Sequence, residues 1–449
     1  MLRNIVILII GFAMLITFSC STDNTTNTVT NTVTNTGKFS DLEVPDGFDW
    51  DFTNEVEVNI TTVDSDGSPV GGKTVSLYKT ADNLAFSMTT NAIGILKTAI
   101  TLPESKQDVI LECDGEQFTV PVTGNSIDYQ MVVSPSGGRS NSGYVYVPGN
   151  NSELTYMFED NWPNKGDYDF NDLVVETWSV LRYQYDYLRW IEVYVKVVAA
   201  GATFNNGFAI AYDSDALPNN VDDTVIFSAY DVDGNPLPMT SEEVHTAYGT
   251  DVFWYNYEQI QFHFFTNVFD VLPLPQGCLT SNTNKDHPWI EPVILKIRID
   301  YGTSAPPYYD PSAPCFNLNA LNPYININGE TGHEIHLPGE GYTDAFNQQS
   351  LFGTGDDNTP ETGMADPLYE NNGFTTIEGY PWGLKLEGIL EYPSEKSDVI
   401  QAYPELQDYF DGTQNIFDNW WQPHPDPDYS EGYIFDRQDM TVEDQNTPL

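Results

Sequence analysis

Glu159, Asp160, Asp167, Asp169, Asn171 and Asp172 crowd one short stretch of this sequence, and their types and spacing suit the binding of a hard cation. The segment reads YMFEDNWPNKGDYDFNDLVVE over residues 156–176, and its centre sets Asp167, Asp169 and Asn171 at alternate positions. Calcium loops gather oxygens from positions 1, 3 and 5 in this way. The rest of an EF-hand is missing: Asp172 stands where the glycine of position 6 belongs, Trp178 where the glutamate of position 12 belongs, and the flanks read as strands. A calcium loop here is of another kind, completed by Asp172, Glu159 or Asp160. The same spacing fits an Asx-turn cluster whose carboxylates accept backbone N–H groups. Spacing alone leaves both readings open.

Other groups carry weaker signals. Asp356, Asp357 and Asn358, in GTGDDN, form a second possible metal cluster, although a Gly-Asp-Asp turn is more often a solvated loop. DVDGNP at 231–236 also fits a plain hairpin turn. In HEIH, His333 and His336 lack the i, i+4 helical spacing of a zinc pair, and in an alternating segment they face opposite sides. No nucleophile elbow, phosphate-cradling glycine loop or dinucleotide fingerprint occurs. With 66 acidic residues, carboxylate pairs at glycosidase spacing must exist somewhere, so their presence argues nothing without a cleft. No catalytic residue is assigned, and an envelope hydrolase is the weakest alternative. Among the tryptophans, the adjacent Trp420 and Trp421 are the hardest to bury together on a strand, which makes them candidate ligand aromatics for a glycan.

These groups must be positioned by β structure. VEVNITTV, KTVSLYKT, DVILEC, EQFTVPV and DYQMVV alternate between turn signals, the pattern of a small antiparallel β-sandwich over residues 50–133. A small-residue linker, 134–143, leads to longer aromatic-rich strands, among them one that sets Ile191, Val193, Val195 and Val197 on one face. Residues 144–440 therefore read as a larger β-sandwich or jelly-roll with long loops, and the chain as all-β. The best helical candidate is KSDVIQAYPELQDYF near the end.

The N-terminus reads as a lipoprotein signal peptide. One basic residue precedes an apolar run of ~14 residues, short for a membrane span, and the small Ser19 precedes Cys20. Residues 1–19 would be removed and Cys20 lipidated, anchoring the chain to a membrane. An Asn/Thr-rich tether, 20–45, follows. The formal net charge of -49 repels nucleic acid. Cys278 and Cys315 can pair in an oxidising compartment, and Cys113 reads as a buried thiol.

FEDNWPNKGDYDFNDLVVE resembles the signature of the LruC-domain family of bacterial envelope lipoproteins and secreted proteins. Residues 322–363, with HLPGEGYTD and GTGDD, resemble that family's later block, so the likeness spans roughly residues 144–421. GYPWGLKLEG departs from the family's closing strand. DSDGSPVGGKTVSLY, earlier in the chain, resembles the start of carboxypeptidase-regulatory-like sandwiches, which implies a spacer module. The LruC resemblance implies an envelope location, at the outer membrane or cell surface, and calcium at Asp167, Asp169, Asn171 and Asp172. The expectation is a non-catalytic, lipid-anchored protein with a calcium-stabilised β domain that binds a glycan or another surface protein. Its alternative is a carbohydrate-binding component using exposed aromatics.

Overall fold

Strict alternation makes the first strands: in VEVNITTV the side chains of Val56, Val58 and Ile60 are buried while their neighbours are not. The computed structural model describes residues 38–44, 48, 50, 52–103, 106–134, 142–184, 187–213, 225–255, 259–301, 321–359, 373–406, 420 and 433–435. The N-terminal strands are β1 (Thr53–Val63), β2 (Thr74–Thr80), β3 (Asn83–Thr89), β4 (Ile95–Pro103), β5 (Asp108–Cys113), β6 (Glu116–Pro121) and β7 (Ser126–Val132). Then come β8 (Ser142–Val147), β9 (Leu154–Phe158), β10 (Leu173–Gln184), β11 (Tyr187–Ala199), β12 (Gly207–Asp213), β13 (Val225–Tyr230) and helix α1 (Ser241–Tyr248). The last elements are β14 (Asp251–Tyr255), β15 (Gln259–Phe265), α2 (Val268–Val271), β16 (Ile294–Asp300), β17 (Leu321–Asn326), β18 (Glu334–His336), β19 (Gly383–Glu387) and α3 (Val399–Ala402).

The chain is all-β in character, built of antiparallel sheets with, among the described residues, one parallel pair, β1 with β7. One sheet runs β4-β1-β7; a long one runs β13-β16-β11-β10-β8-β3-β2-β5-β6; a third runs β14-β15-β12-β17-β18. Strand β10 links the halves, because one of its edges pairs with β9 over Leu173–Thr177 and then with β8 over Ser179–Gln184. Strand β8 continues to β3, so the two sandwiches share a sheet, and Ser142 and Gly143 of the expected linker belong to β8. The third sheet packs on β11 and β16, burying Ile191, Ile297 and Ile299 against Ile210, Phe262 and Phe264.

The β9–β10–β19 part of the long sheet is buried on both faces. Tyr156 and Phe158 face the main core, while Met157, Leu384 and Leu386 face a second core closed by α3, by Tyr392 and Tyr403, and by the segment before β1. Two expectations are corrected here. Phe39 and Leu42, counted within the tether, are buried in this second core, where a 3-10 turn, Phe39–Asp41, docks them. Trp420 is no exposed ligand aromatic, for it is 1% exposed and packs edge-on against Phe52 and Tyr403. Burying aromatic side chains of this size stabilises by roughly 2–3 kcal/mol each, which outweighs the adjacency argument. Within the described part the expected late helix is interrupted at Tyr403 and Pro404, leaving α3 before them and Glu405 and Leu406 helical after them.

A buried ion pair joins the two ends of the fold: Lys79 Nζ on β2 lies 2.6 Å from Glu387 on β19. Burial lowers the lysine's pKa and raises the glutamate's, so desolvation outweighs their mutual attraction. The thiol of Cys113, buried in the first sandwich, is pushed up to about 11, chiefly by burial.

Candidate metal centre

The pairing of β9 with β10 places Phe158 opposite Leu173, so the connection 159–172 must close on itself at that end of the sheet. Its two ends meet where the backbone N–H of Asp160 donates to Asp172 Oδ2 at 2.9 Å. Between them the chain runs through Tyr168 at φ 60° and Phe170 at φ 50°. Left-handed backbone at two bulky residues costs roughly 1–3 kcal/mol each and persists only when the surroundings enforce it. Here the second core enforces it: both rings are buried and pack around Phe39, at centroid distances of 5.0 and 5.4 Å. The alternating carboxylates, Asp167 and Asp169, gather instead with Glu159.

One oxygen each of Glu159, Asp167 and Asp169 lies within 4.8 Å of the others. Oxygens about 2.3–2.6 Å from a shared calcium ion stand no more than about 5 Å apart, so this spacing fits a common cation. Glu159 is fully buried; its Oε1 accepts from the N–H of Phe170 at 2.7 Å, while its Oε2 has no hydrogen-bond partner. Gly166 makes room for that oxygen, since a Cβ there would sit 1.5 Å from it. Asp169 is 2% exposed and accepts from the N–H groups of Asn171 at 3.2 Å and Lys396 at 2.7 Å. Asp167 is exposed and forms the rim.

The remaining expected ligands lie close by in other roles. Asp160 accepts from Asn206 Nδ2 at 2.7 Å and shares its surroundings with Asp172. Asn171 donates to the carbonyl of Pro393 at 3.0 Å, and its Oδ1 is buried without a partner beside Gly201, where a Cβ would come within 1.9 Å. Sequence reasoning missed Gly166, Gly201 and the backbone of Lys396. Glycine next to an aspartate in KGD was the available signal for the first; the other two come from loops distant in sequence, after β11 and before α3, and left none.

The electrostatics are one-sided. Burial, then Asp172, Asp169 and Asp167, hold the Glu159 carboxyl well above its ordinary range. Burial and Asp167 push Asp169 up to about 8, and burial and Asp160 raise Asp172 well above the carboxylate range. Like charges this close cannot all ionise unless a cation joins them. A divalent ion would reverse the logic by stabilising every ionised form at once. The residues present therefore fit such an ion in donor type, spacing and charge.

The second cluster is occupied differently. Asp357 Oδ1 accepts from Trp162 Nε1 at 3.0 Å and Thr359 Oγ1 at 2.9 Å, and its Oδ2 from the N–H groups of Gly353 at 2.9 Å and Thr359 at 3.1 Å. Asp356 accepts from the N–H of Lys165 at 3.1 Å, and Asn358 donates its N–H to Thr375. This turn braces the carboxylate loop from outside. DVDGNP is a closed turn in which Asp231 accepts from the backbone and side chain of Asn235. His336 has both ring nitrogens engaged, Nδ1 with Asn322 Oδ1 at 2.7 Å and Nε2 with Glu334 at 2.9 Å. Cys278 is a free, half-exposed thiol; Cys20, Cys315 and Trp421 lie outside the described residues.

Comparison with known proteins agrees with the fold. The profile of a domain of unknown function, DUF4842, matches residues 186–421, starting just after the carboxylate loop and its strand β10. No curated protein matches. A Bacteroides ovatus crystal structure, described as a lipoprotein, is similar with a TM-score of 0.54 at 16% identity, over 79% of this chain and 98% of that one. The Bacillus cereus major pilin subunit BcpA matches at 10% identity and a TM-score of 0.15, over 61% of this chain and 64% of its own. The serine-rich repeat adhesion glycoprotein Srr1 of Streptococcus agalactiae matches at 8% identity and a TM-score of 0.16, over 66% and 98%. Only the first likeness is high enough to bear on the arrangement of strands.

Proposed function

The chain belongs to the DUF4842 family, and from that premise we propose that it is a non-catalytic, lipid-anchored protein of the bacterial cell envelope, locked by calcium and used in adhesion or binding. The observation that carries the calcium reading is Glu159: a carboxylate with one oxygen unpartnered, wholly buried, and converging on Asp167 and Asp169. A buried ionised oxygen without a donor is too costly to keep unless a cation reaches it. Glu159 and Asp169 are closed to solvent, which suits an ion that rigidifies a loop and not one that meets a substrate. The LruC-like signature over the same loop supports the same assignment. Envelope anchoring rests on the signal-peptide pattern ending at Cys20 and agrees with the lipoprotein-like neighbour.

The test is the thermal midpoint of the protein in millimolar calcium and in EDTA, for the parent and for Asp167→Ala with Asp169→Ala. A calcium-dependent rise that vanishes in the double variant is expected, whereas superimposable parent curves refute the calcium reading. A carbohydrate-binding role has one observation in its favour, the outer face of β8, β10 and β11, where Tyr144, Trp178, Trp190 and Tyr194 are at least partly exposed. Loss of glycan-array binding on Trp190→Ala would support it.

A further inference from the structure

The segment that docks ahead of β1 sits on the back of the carboxylate loop, and we infer that cation binding controls whether this segment is held or released. The inference rests on the calcium reading of Glu159, Asp167 and Asp169. In DYDF, aspartates and aromatics alternate in a backbone held left-handed at both aromatics. The acidic side faces the cation position and the aromatic side faces Phe39. Whatever spreads the carboxylates therefore shifts the seat of Phe39.

Two further links run between the same places. The Asp169 carboxylate holds the N–H of Lys396 at 2.7 Å, and two residues later Asp398 accepts the N–H of Phe39 with both oxygens, at 3.1 and 2.9 Å. Asp398 also caps α3, whose first residue, Val399, donates its N–H to the carbonyl of Tyr168 at 2.9 Å. Ligand, cap and docked segment thus form one connected network. Beyond Phe39, the Tyr380 hydroxyl donates to the carbonyls of Ser40 and Leu42, and Trp50 Nε1 to that of Gly379.

Without a cation nothing draws Glu159, Asp167 and Asp169 to one point, the strained backbone is held by the second core alone, and the Phe39 pocket loosens. With the cation, the pocket is set and the segment is retained. The segment lies between the Asn/Thr-rich stretch of sequence and β1, so its release frees residues 38–44 from the second core when calcium is low. Linkage makes the effect reciprocal: if calcium favours docking, docking favours calcium by the same factor.

Hydrogen–deuterium exchange of the full-length protein, read on peptides covering 38–44 and 159–172 in millimolar calcium chloride and in EDTA, tests this. Both peptides are expected to exchange about tenfold more slowly in calcium. Phe39→Ala is expected to weaken calcium binding about five- to tenfold, within the range usual for coupled sites. Asp398→Asn, which keeps the cap, should act in the same direction more weakly, and unchanged protection of β10 and β11 shows that each variant is folded. If 159–172 becomes protected while 38–44 does not, and both variants bind calcium as the parent does, the coupling is wrong and the site stands. If the parent shows neither saturable calcium binding nor protection at 159–172, the site reading falls and takes the coupling with it.

Discussion

Two buried polar centres in this protein are built on opposite terms. On β18, Glu334 and His336 are both fully buried, yet every polar end is met. The histidine sits between Glu334 and Asn322, the glutamate accepts from the hydroxyl and N–H of Thr343, and Tyr324 stacks on the ring at 4.7 Å. Both ring nitrogens lie within hydrogen-bond distance of a side-chain oxygen. In the 159–172 loop the carboxylates accept backbone and amide N–H groups, yet Glu159 Oε2 and Asn171 Oδ1 have no partner. A centre that closes its own hydrogen bonds specifies the fold; one that leaves a buried carboxylate oxygen open among other carboxylates is complete only with something added.

The largest effect should come from breaking the closed centre. Glu334→Ala leaves a buried imidazole and Thr343 without their acceptor, and losing one member of such a pair costs about 3–5 kcal/mol. Urea unfolding should show this loss equally in calcium and in EDTA. A loss that depended on calcium would tie this centre to the loop and erase the contrast.

Glu159→Gln tests the open centre, and its sign should change with the medium. In EDTA it removes the most crowded carboxyl and should leave stability equal or raised by up to about 1 kcal/mol. In calcium at a hundred times the parent's dissociation constant it should forfeit about 2.7 kcal/mol, the mass-action contribution of the bound ion. Unfolding curves in both media decide it; destabilisation of the same size in both would make Glu159 an ordinary structural acid.

Proton linkage sharpens the comparison further. Asp169 rises to about 8 when folded, and Glu159 and Asp172 rise as well, so the cation-free fold binds more protons than the unfolded chain. Their contribution is fully present below the unfolded carboxylate pKa and is lost as pH rises towards 8. His263 acts in the reverse sense: burial lowers it to about 4, so its contribution is lost as pH falls from about 6.5 to 4. Between about pH 6.5 and 8 His263 is neutral in both states and does not mask the carboxylates. Stability in EDTA should fall across that window, by roughly 1–2 kcal/mol for Asp169, while the calcium-bound protein should stay flat. A flat EDTA profile would mean the loop is not charge-frustrated.

Much of this was legible in the residues. Alternation identified the strands and the all-β class, and the DxDxN spacing drew attention to the loop that brings Asp167 and Asp169 to Glu159. What the sequence could not show was which neighbours arrive from far away. Asn171 turns to Pro393, Asp160 to Asn206, and the two halves join through β3 and β8. Trp420 was misjudged because strand adjacency was applied to a residue that is not in a strand. Helix α1 was overlooked although Thr240 and Glu243 form a capping box and Gly249 ends the helix at φ 68°. Phe39, Leu42, Trp50 and Phe52, spaced through FSDLEVPDGFDWDF, were a visible apolar pattern hidden by the polar tether before them.

The smallest expected effect concerns the turn that braces the loop from outside. The Asp356 side chain meets the carboxylate loop at the N–H of Lys165 and in a 4.0 Å approach to its ammonium, and it is 40% exposed, while its backbone N–H donates to the carbonyl of Pro163 at 2.9 Å. Lys165 has a nearer partner in Glu378, at 2.9 Å. Exposed pairs of this kind contribute about 0–1 kcal/mol, so Asp356→Asn should lower stability by less than about 1 kcal/mol. Calcium titration of that variant should give the parent's affinity, because Asp356 holds the loop's outer edge and offers the ion nothing. A tenfold weaker affinity would instead bring Asp356 into the metal centre, and the division between the open carboxylate group and its closed surroundings would have to be redrawn.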